Sequence, residues 1–323
     1  MLVVHDAYNS SDLPQGGVAT IGNFDGLHRG QRAVIAQVRE RAEALGTASL
    51  VITFEPHPVA VLRPEASPPR LSTAQRKEEL LAEAGVDVVL VVGFTPEFSR
   101  TPARDFVRGF LCRRLALAEV HVGASFVFGH RREGDLALLE EMGGACGFAA
   151  RAVEPLCWNG ERISSTRIRK ALAEGRAEDA EELLGRAYSL AGTVARGDRM
   201  GQKIGWPTIN LAVESDQQMV PRGGVYASRV HFPSYPASFD SVTNIGTRPT
   251  VYENYRRVIE SHVLDFDADV YGERVAVRFH RRLRDEKLFP SVMDLSAQIG
   301  RDVESAREFF AARRRLEGQI LQP

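Results

Sequence analysis

Three cysteines and only four lysines occur in a chain of 323 residues, and each scarcity narrows what the protein can be. Cys112, Cys146 and Cys157 are odd in number and lack the paired spacing of a zinc site. A disulfide framework and a cysteine-held metal are therefore disfavoured, and the expectation is three reduced thiols of a cytoplasmic protein. The 41 basic residues are nearly all arginine, a compositional bias that carries no functional weight. Excess charge is missing too: a formal net charge of −1 gives no general attraction for nucleic acid, which is not expected as a partner. No apolar run approaches 18 residues, and the opening MLVVHDAYNSSDLPQG has no basic segment ahead of a long apolar one, so neither membrane insertion nor export is expected. What is present is ordinary for a folded chain, 44% hydrophobic and 26% charged, and the length suits two domains of roughly 100 to 200 residues.

From Val18 to about Val153, short apolar runs alternate with helical ones. GVATIGNF, ASLVITF, VDVVLVVGF, EVHVG and GFAARAV read as strands. Between them QRAVIAQVRERAEALG reads as a helix stopped by Gly46, STAQRKEELLAEAG as one entered at Ser72 or Thr73, and TPARDFVRGFLCRRLA as one capped by Thr101 with Pro102 at the first helical position. Continuous apolar strands separated by helices predict a doubly wound, Rossmann-like α/β domain, whose ligands belong at the carboxyl ends of the strands. After Glu154, SSTRIRKALAEGRAEDAEELLG is helical. From Tyr188 to about Phe279, strand-like runs then follow at close spacing between glycine and proline turns, uninterrupted by a helix, which predicts a small antiparallel barrel. Helical periodicity returns from Pro290 to about Leu321. The boundary is placed near Gly185, giving domains 1–185 and 186–323.

The stretch IGNFDGLHRGQ, Ile21 to Gln31, puts Gly22, Gly26 and Gly30 around Phe24 and His28 where a strand turns into a helix. Such a turn lets the backbone approach a ligand and offers the helix's first amides to an anion. A bland strand-to-helix turn explains the glycines equally well. ISSTRIRKALAEG, however, places Ser164, Ser165, Thr166, Arg167 and Arg169 at a second helix start, suited to a polyphosphate. TFEPHP, with Pro56 and Pro58 around His57, and FGHRREGD, with Arg132 and Asp135, add loops at further strand ends.

In this order the four strings resemble the nucleotidyltransferase module of the bacterial bifunctional riboflavin kinase/FMN adenylyltransferases, the FAD synthetase family. Its corresponding patterns are GxFDGxHxGH, TFEPHP, FGxxRxGD and SSTxIR. The resemblance implies an ATP site at the strand ends, where FMN phosphate attacks the α-phosphorus and pyrophosphate leaves. It carries phosphate contact to His28, Ser164, Thr166 and Arg167, with Gly22, Phe24, Gly26 and Gly30 in the turn, and flavin contact to Ser125 and Arg132. Two positions depart from the pattern: Gln31 stands where the family has its second histidine, and Ser125 where it has aspartate or asparagine. Exchanging a charged hydrogen bond for a neutral one costs about 1 to 2 kcal/mol, roughly tenfold in rate, or up to about a thousandfold if the group acts as an oxyanion donor.

In the second half, GTVARGDRMGQKIGWPTINL sets Gly192, Gly197, Gly201 and Gly205 around a loop ahead of Pro207, Thr208 and Asn210. Glycine permits close approach to ATP phosphates, and a hydroxyl and an amide oxygen two residues apart on a strand suit a magnesium ion. With GGVYAS, NIGTRPT, VIESHVLDFDADVYGERVAVRF and LRDEKLF, this stretch resembles the riboflavin kinase domain of the same family. That resemblance implies a six-stranded barrel with Glu260 as general base and Thr208 and Asn210 as metal ligands. His262 shares the face of Glu260 and is open to a structural or a catalytic reading, and Arg284 and Phe289 are weaker candidates for flavin contact. The expectation is an enzyme that uses MgATP to convert riboflavin to FMN and FMN to FAD. The alternative is a riboflavin kinase whose N-terminal half binds nucleotide and flavin without efficient catalysis. Oligomeric state is left open, a homo-oligomer included.

Overall fold

A computed structural model of the chain describes residues 1–197, 200–248 and 256–320. The chain divides into two compact units, Met1–Ser165 and Thr166–Pro323.

The first unit is a six-stranded parallel sheet. Its strands are β1 (Leu2–Val4), β2 (Val18–Ile21), β3 (Ser49–Glu55), β4 (Val88–Gly93), β5 (Glu119–Gly123) and β6 (Ala149–Val153), arranged β1-β4-β3-β2-β5-β6. Helices α1 (Arg29–Ala44), α2 (Pro58–Leu62), α3 (Ala74–Glu83), α4 (Ala103–Phe106) and α5 (Leu136–Cys146) connect them. The sheet needs cover on both faces, and its apolar residues sort accordingly. Ile35 of α1 with Leu80 and Leu81 of α3 pack over Val51, Val89 and Val91, while Phe106, Val107, Phe110 and Leu139 pack over Ile21, Ile52, Leu90 and Val120. This is the doubly wound arrangement expected from the uninterrupted apolar strands. The winding reverses between β2 and β5, so the crevice for a ligand opens where the Gly22–His28 turn and the Ala124–Ser125 loop leave the sheet.

Three local expectations are corrected. Thr101 does not cap α4. Pro102 occupies the N-cap position with no side-chain cap of its own, and Glu133, 30 residues away, accepts the Ala103 amide at 2.8 Å. The helix then widens into a π-helical stretch, Val107–Arg114. Cys112 in that stretch and Cys146 at the end of α5 form a disulfide with Cα atoms 5.6 Å apart, so only Cys157 is a free thiol. Their separation of 34 residues carries no signal in the sequence; it is the packing of the two helices on one sheet face that brings them together.

A two-stranded ribbon, β7 (Cys157–Trp158) and β8 (Glu161–Arg162), closes the first unit. Helices α6 (Ser165–Ala173) and α7 (Ala177–Leu184) follow, separated by Gly175 at φ +79°. The second unit is then a closed six-stranded antiparallel barrel. Its strands are β9 (Tyr188–Ala195), β10 (Ile209–Val213), β11 (Gly224–His231), β12 (Ser238–Arg248), β13 (Arg256–Val263) and β14 (Arg274–Arg284), in the order β10-β13-β12-β11-β14-β9, with β9 pairing back to β10. Contrary to expectation one short helix, α8 (Met200–Lys203), interrupts the β-rich run, because the loop before Thr208 folds back on itself: the Trp206 amide donates to the Gly201 carbonyl at 2.8 Å.

The last helix, α9 (Val292–Ile320), lays Val303, Ala306 and Phe310 over Val225, Ala227 and Val242 on the outside of the barrel. Burying Phe310 alone contributes about 1.5–3 kcal/mol. Inside, four fully buried hydroxyls satisfy one another: Ser228 bonds Ser241 at 2.8 Å and Thr243 at 2.6 Å, and Thr243 bonds Ser261 at 2.7 Å. Alternation along β13 therefore turns Ile259, Ser261 and Val263 inward and Glu260 and His262 outward.

Candidate active sites

The turn after β2 is built around two bulky residues in left-handed backbone, Phe24 at φ +48° and Leu27 at φ +39°, with Gly26 between them at φ +86°. Such angles cost a non-glycine residue about 1–3 kcal/mol each. Both side chains are buried in the core under α1, so Phe24 anchors the turn from below. Asp25 holds it from the side: its buried carboxylate accepts the amides of Leu71 at 3.0 Å and Ser72 at 3.1 Å, and the Ser72 hydroxyl accepts the Gly26 amide at 3.2 Å. Ser165 donates to the Asp25 carbonyl at 2.9 Å. A Cβ on Gly26 would lie 2.9 Å from the Leu71 side chain, which is why the turn needs glycine there.

His28 is the N-cap of α1. Its Nδ1 accepts the Gln31 amide at 3.2 Å, and the Gln31 Oε1 accepts the His28 amide at 3.1 Å, a reciprocal capping box. With Nδ1 accepting, the neutral imidazole carries its proton on Nε2. A Cβ on Gly30 would come within 3.3 Å of this ring and 3.7 Å of the Ile163 carbonyl, so the chain just before Ser164 lies alongside the turn. Across the crevice, the Ser125 hydroxyl accepts Arg162 Nη1 at 2.6 Å. Arg132 is exposed at φ +62° in a short turn after β5. Thr166 and Arg167 follow Ser165 as the next residues of α6.

Sequence reasoning passed over a charged cluster behind the TFEPHP loop. Lys77, with only 2% of its side chain exposed, reaches Glu55 at 3.1 Å, and Arg70 grips the same carboxylate with two bonds at 3.1 and 3.2 Å. Burial pushes the Glu55 acid up, but Arg70 and Lys77 outweigh it and hold the group below the usual range, while burial lowers the Lys77 ammonium. Arg70 also lies 3.7 Å from Asp25, so the cluster fixes both ends of the 70–72 segment that Asp25 grips. His57 caps α2 through Nδ1, accepting the Val59 amide at 3.3 Å.

In the barrel, strand register brings predicted residues together. Asn210 lies opposite Glu260 across the β10–β13 pair, and Asn244 of β12 lies opposite Glu260 on its other side. Thr208 precedes β10 and lines a cavity of about 320 Å³ at one end of the barrel, whose wall includes Ile209, Ser261, Val263, Asp267 and Tyr271. Asn210 and Glu260 do not line it: they sit on the outer face beside it. The glycine loop is folded against these side chains. A Cβ on Gly197 would fall 2.3 Å from Asn210 Nδ2, and one on Gly201 would fall 3.3 Å from Thr208 Oγ1 and 2.2 Å from the Trp206 carbonyl. Gly205 adopts φ +83°. Asn244 was not foreseen, and its only sequence signal is its place in SVTNIG. Pro249 and Thr250 of the NIGTRPT string, and Asp198 and Arg199 of the glycine loop, lie outside the described residues.

Arg284, expected as a weaker candidate for flavin contact, grips Asp302 of α9 at 2.7–3.0 Å and lies 5.7 Å from the Phe289 ring. Among the described residues, no group of three or more His, Cys, Asp or Glu could hold a metal, and no helix is long and apolar enough to cross a membrane.

Residues 10–167 match the family model for FAD synthetase and residues 184–310 the model for riboflavin kinase. Curated proteins called bifunctional riboflavin kinase/FMN adenylyltransferase are similar over nearly the full length. That of Escherichia coli K12 is 40% identical, with 96% of this chain and 98% of the relative covered, and that of Haemophilus influenzae is 36% identical, with 96% and 99% covered. A solved structure described as a macrolide-efflux protein from Streptococcus pneumoniae superposes with a TM-score of 0.86 at 26% identity, covering 95% of this chain and 98% of that one. A strained, glycine-bearing turn at the reversal point of a parallel sheet, followed by a closed barrel that pairs Asn210 with Glu260, is the setting of both matches, and the chain belongs to the bifunctional riboflavin kinase/FMN adenylyltransferase family.

Proposed function

We propose that the chain phosphorylates riboflavin to FMN in its barrel and adenylylates FMN to FAD in its α/β unit, using ATP in both steps. The observation that carries the kinase reading is the register of Asn210 and Glu260 on adjoining strands, with Thr208 at the cavity beside them. Glu260 takes the proton of the ribityl 5′-hydroxyl as its oxygen bonds to the γ-phosphorus of ATP, and the bond to the bridging oxygen breaks to release ADP. Thr208 and Asn210 offer two neutral hard oxygens, the donor type that suits magnesium arriving with ATP phosphates, and the glycines at 197 and 201 leave room beside both. Bound there, magnesium supplies positive charge against the phosphate oxygens.

In the α/β unit, an FMN phosphate oxygen attacks the α-phosphorus and pyrophosphate leaves. The His28 Nε2 proton and the first amides of α1 face the phosphates, with Gly22, Gly26, Gly30 and Ser164 shaping the path. Thr166 and Arg167, which close the stretch matched to FAD synthetase, are kept as phosphate contacts, and Ser125 and Arg132 as flavin contacts. We keep the functional boundary at 185/186, a reading supported by the match to the riboflavin kinase model that starts at residue 184. Dependence on ATP fits a cytoplasmic site of action. The alternative of a kinase with an idle first half is less favoured, because the first half matches FAD synthetase from residue 10 to 167.

The test is incubation of the purified protein with riboflavin and MgATP, and separately with FMN and MgATP, with the flavins resolved by chromatography. FMN and then FAD are expected; FMN accumulating without FAD would reject the second activity. Glu260→Ala is expected to slow FMN formation by about 10²–10⁴-fold, the usual contribution of a positioned base, and to leave FMN adenylylation intact. Full-speed FMN formation by that variant would remove the base assignment.

A further inference from the structure

His262 is a residue beside the barrel site to which the proposed chemistry assigns no task. Its Nδ1 lies 2.7 Å from the Pro207 carbonyl. A carbonyl only accepts, so Nδ1 carries the proton whether the ring is neutral or charged. The ring also meets Trp206 edge-on at 5.3 Å, and the Trp206 indole donates to Ser296 of α9 at 3.0 Å. Ser296, Trp206, His262 and Pro207 thus form one connected support, and the next residue in the chain is Thr208.

The register explains why a support is needed. The β10–β13 ladder holds Ile209 opposite Ser261 and Asn210 opposite Glu260, and it stops there. One step further Thr208 would face His262, but Thr208 stands outside the strand, and Pro207 has no amide to give. We infer that His262 is a positioning residue for riboflavin phosphorylation: its side chain replaces the missing backbone rung and fixes the direction of Thr208 toward the MgATP phosphates. It does not exchange a proton with substrate. The inference rests on the kinase reading above and assigns a task inside that same site.

Four proteins test it: wild type, His262→Ala, His262→Asn and His262→Gln. Asparagine places an amide N–H near the position of Nδ1, whereas glutamine places it near Nε2. For His262→Ala and His262→Gln, the KM for MgATP is expected to rise about three- to tenfold, the loss of one hydrogen bond that holds a ligand in place. His262→Asn should return to within about twofold of wild type. The pH dependence of kcat should keep its shape in all four, and an unchanged affinity for riboflavin, which binds the barrel itself, reports that the barrel of each variant is folded.

An unchanged KM in His262→Ala overturns the inference. So does a fall in kcat by about a hundredfold or more that removes one limb of the pH profile and is not rescued by asparagine, since that is the signature of an acid or base. Equal losses in riboflavin and MgATP affinity would mark general loosening of the barrel and overturn it as well. A wild-type protein that makes no FMN would instead defeat the kinase reading itself.

Discussion

Gln31 is the position at which stability and catalysis ask for different side chains. Its Oε1 closes the capping box on the His28 amide at 3.1 Å, while its own amide donates to His28 Nδ1 at 3.2 Å. Replacing it with histidine keeps the second bond, which is made by backbone, and removes the first. A neutral hydrogen bond of this kind contributes about 0.5–1.5 kcal/mol. For a unit the size of residues 1–165 that corresponds to a fall in Tm of about 1–6 °C. The same change sets an imidazole beside the phosphates, where a charged donor exceeds a neutral one by about 1–2 kcal/mol. Gln31→His is therefore expected to make FAD from FMN about tenfold faster while melting earlier, and to leave riboflavin phosphorylation as it was.

Gln31→Glu separates the two effects. Glutamate keeps the capping acceptor, and its charge in the first turn of α1 favours the helix by about 0.3–1 kcal/mol, so Tm should hold or rise slightly. The same charge repels the phosphates, and FAD formation should fall at least tenfold, by the measure of about 1.4 kcal/mol per decade. Both variants are read by chromatography of FMN and FAD at saturating MgATP, together with a thermal melt. If Gln31→His lowers Tm without raising FAD formation, or if Gln31→Glu transfers the adenylyl group as fast as wild type, position 31 does not face the reacting phosphates and the argument fails.

Gly197→Ala should impair the kinase without unfolding the barrel. The added Cβ would fall 2.3 Å from Asn210 Nδ2 and 2.7 Å from its Cγ, so the amide must rotate away, and a rise of about tenfold or more in the KM for MgATP is expected; wild-type kinetics would show that Asn210 is not part of the site. Acid should destabilise the second unit through Glu181, which bonds Arg313 at 2.6 and 3.1 Å and His280 at 3.3 Å. Burial pushes Glu181 up, but these partners prevail and set its acid at about 2. A folded value below the unfolded one of about 4.3 means the contribution, on the order of 2–3 kcal/mol, is complete above about pH 4.3 and is lost as pH falls toward 2. Glu181→Gln should accordingly flatten the fall in stability between about pH 4.5 and 2.5; an unchanged slope would refute the assignment.

The architecture was legible wherever burial is total or alternation is clean. VDVVLVVGF could be read as a covered parallel strand because both of its faces are packed, and the barrel strands could be read because glycine and proline turns separate them. Three-residue β1 was not, since an edge strand that short leaves no periodic pattern. The π-helical widening after Phe106 and the pairing of Cys112 with Cys146 depend on how two helices pack, which no local window contains. Of the site, the residue types and their order were legible, and the fixings were not. Asp25 reaches residues 46 and 47 positions on, Glu133 caps a helix 30 residues before it, and His262 bonds a carbonyl 55 residues away. A carboxylate in FDG or an imidazole in ESH looks alike in sequence whether it meets substrate or backbone.

The two departures from the family pattern gain meaning from those fixings. Gln31 is held in a capping box and Ser125 accepts an arginine, so each substitute makes local bonds that stabilise the crevice, whatever charge it withholds from the phosphates. Meanwhile the costly parts of the turn persist. Phe24 and Leu27 keep left-handed backbone, and Asp25 keeps a buried carboxylate gripping the 70–72 segment. Glycine at 24 or 27 would relieve about 1–3 kcal/mol of strain but forfeit a buried Phe or Leu side chain, about 2–5 kcal/mol, so the core holds the strained angles in place. Strain held by the core and by a buried acid, beside a helix start with its cap intact, preserves the shape of the turn independently of the side chain at 31, and this is why Gln31→His can test rate without dismantling the turn.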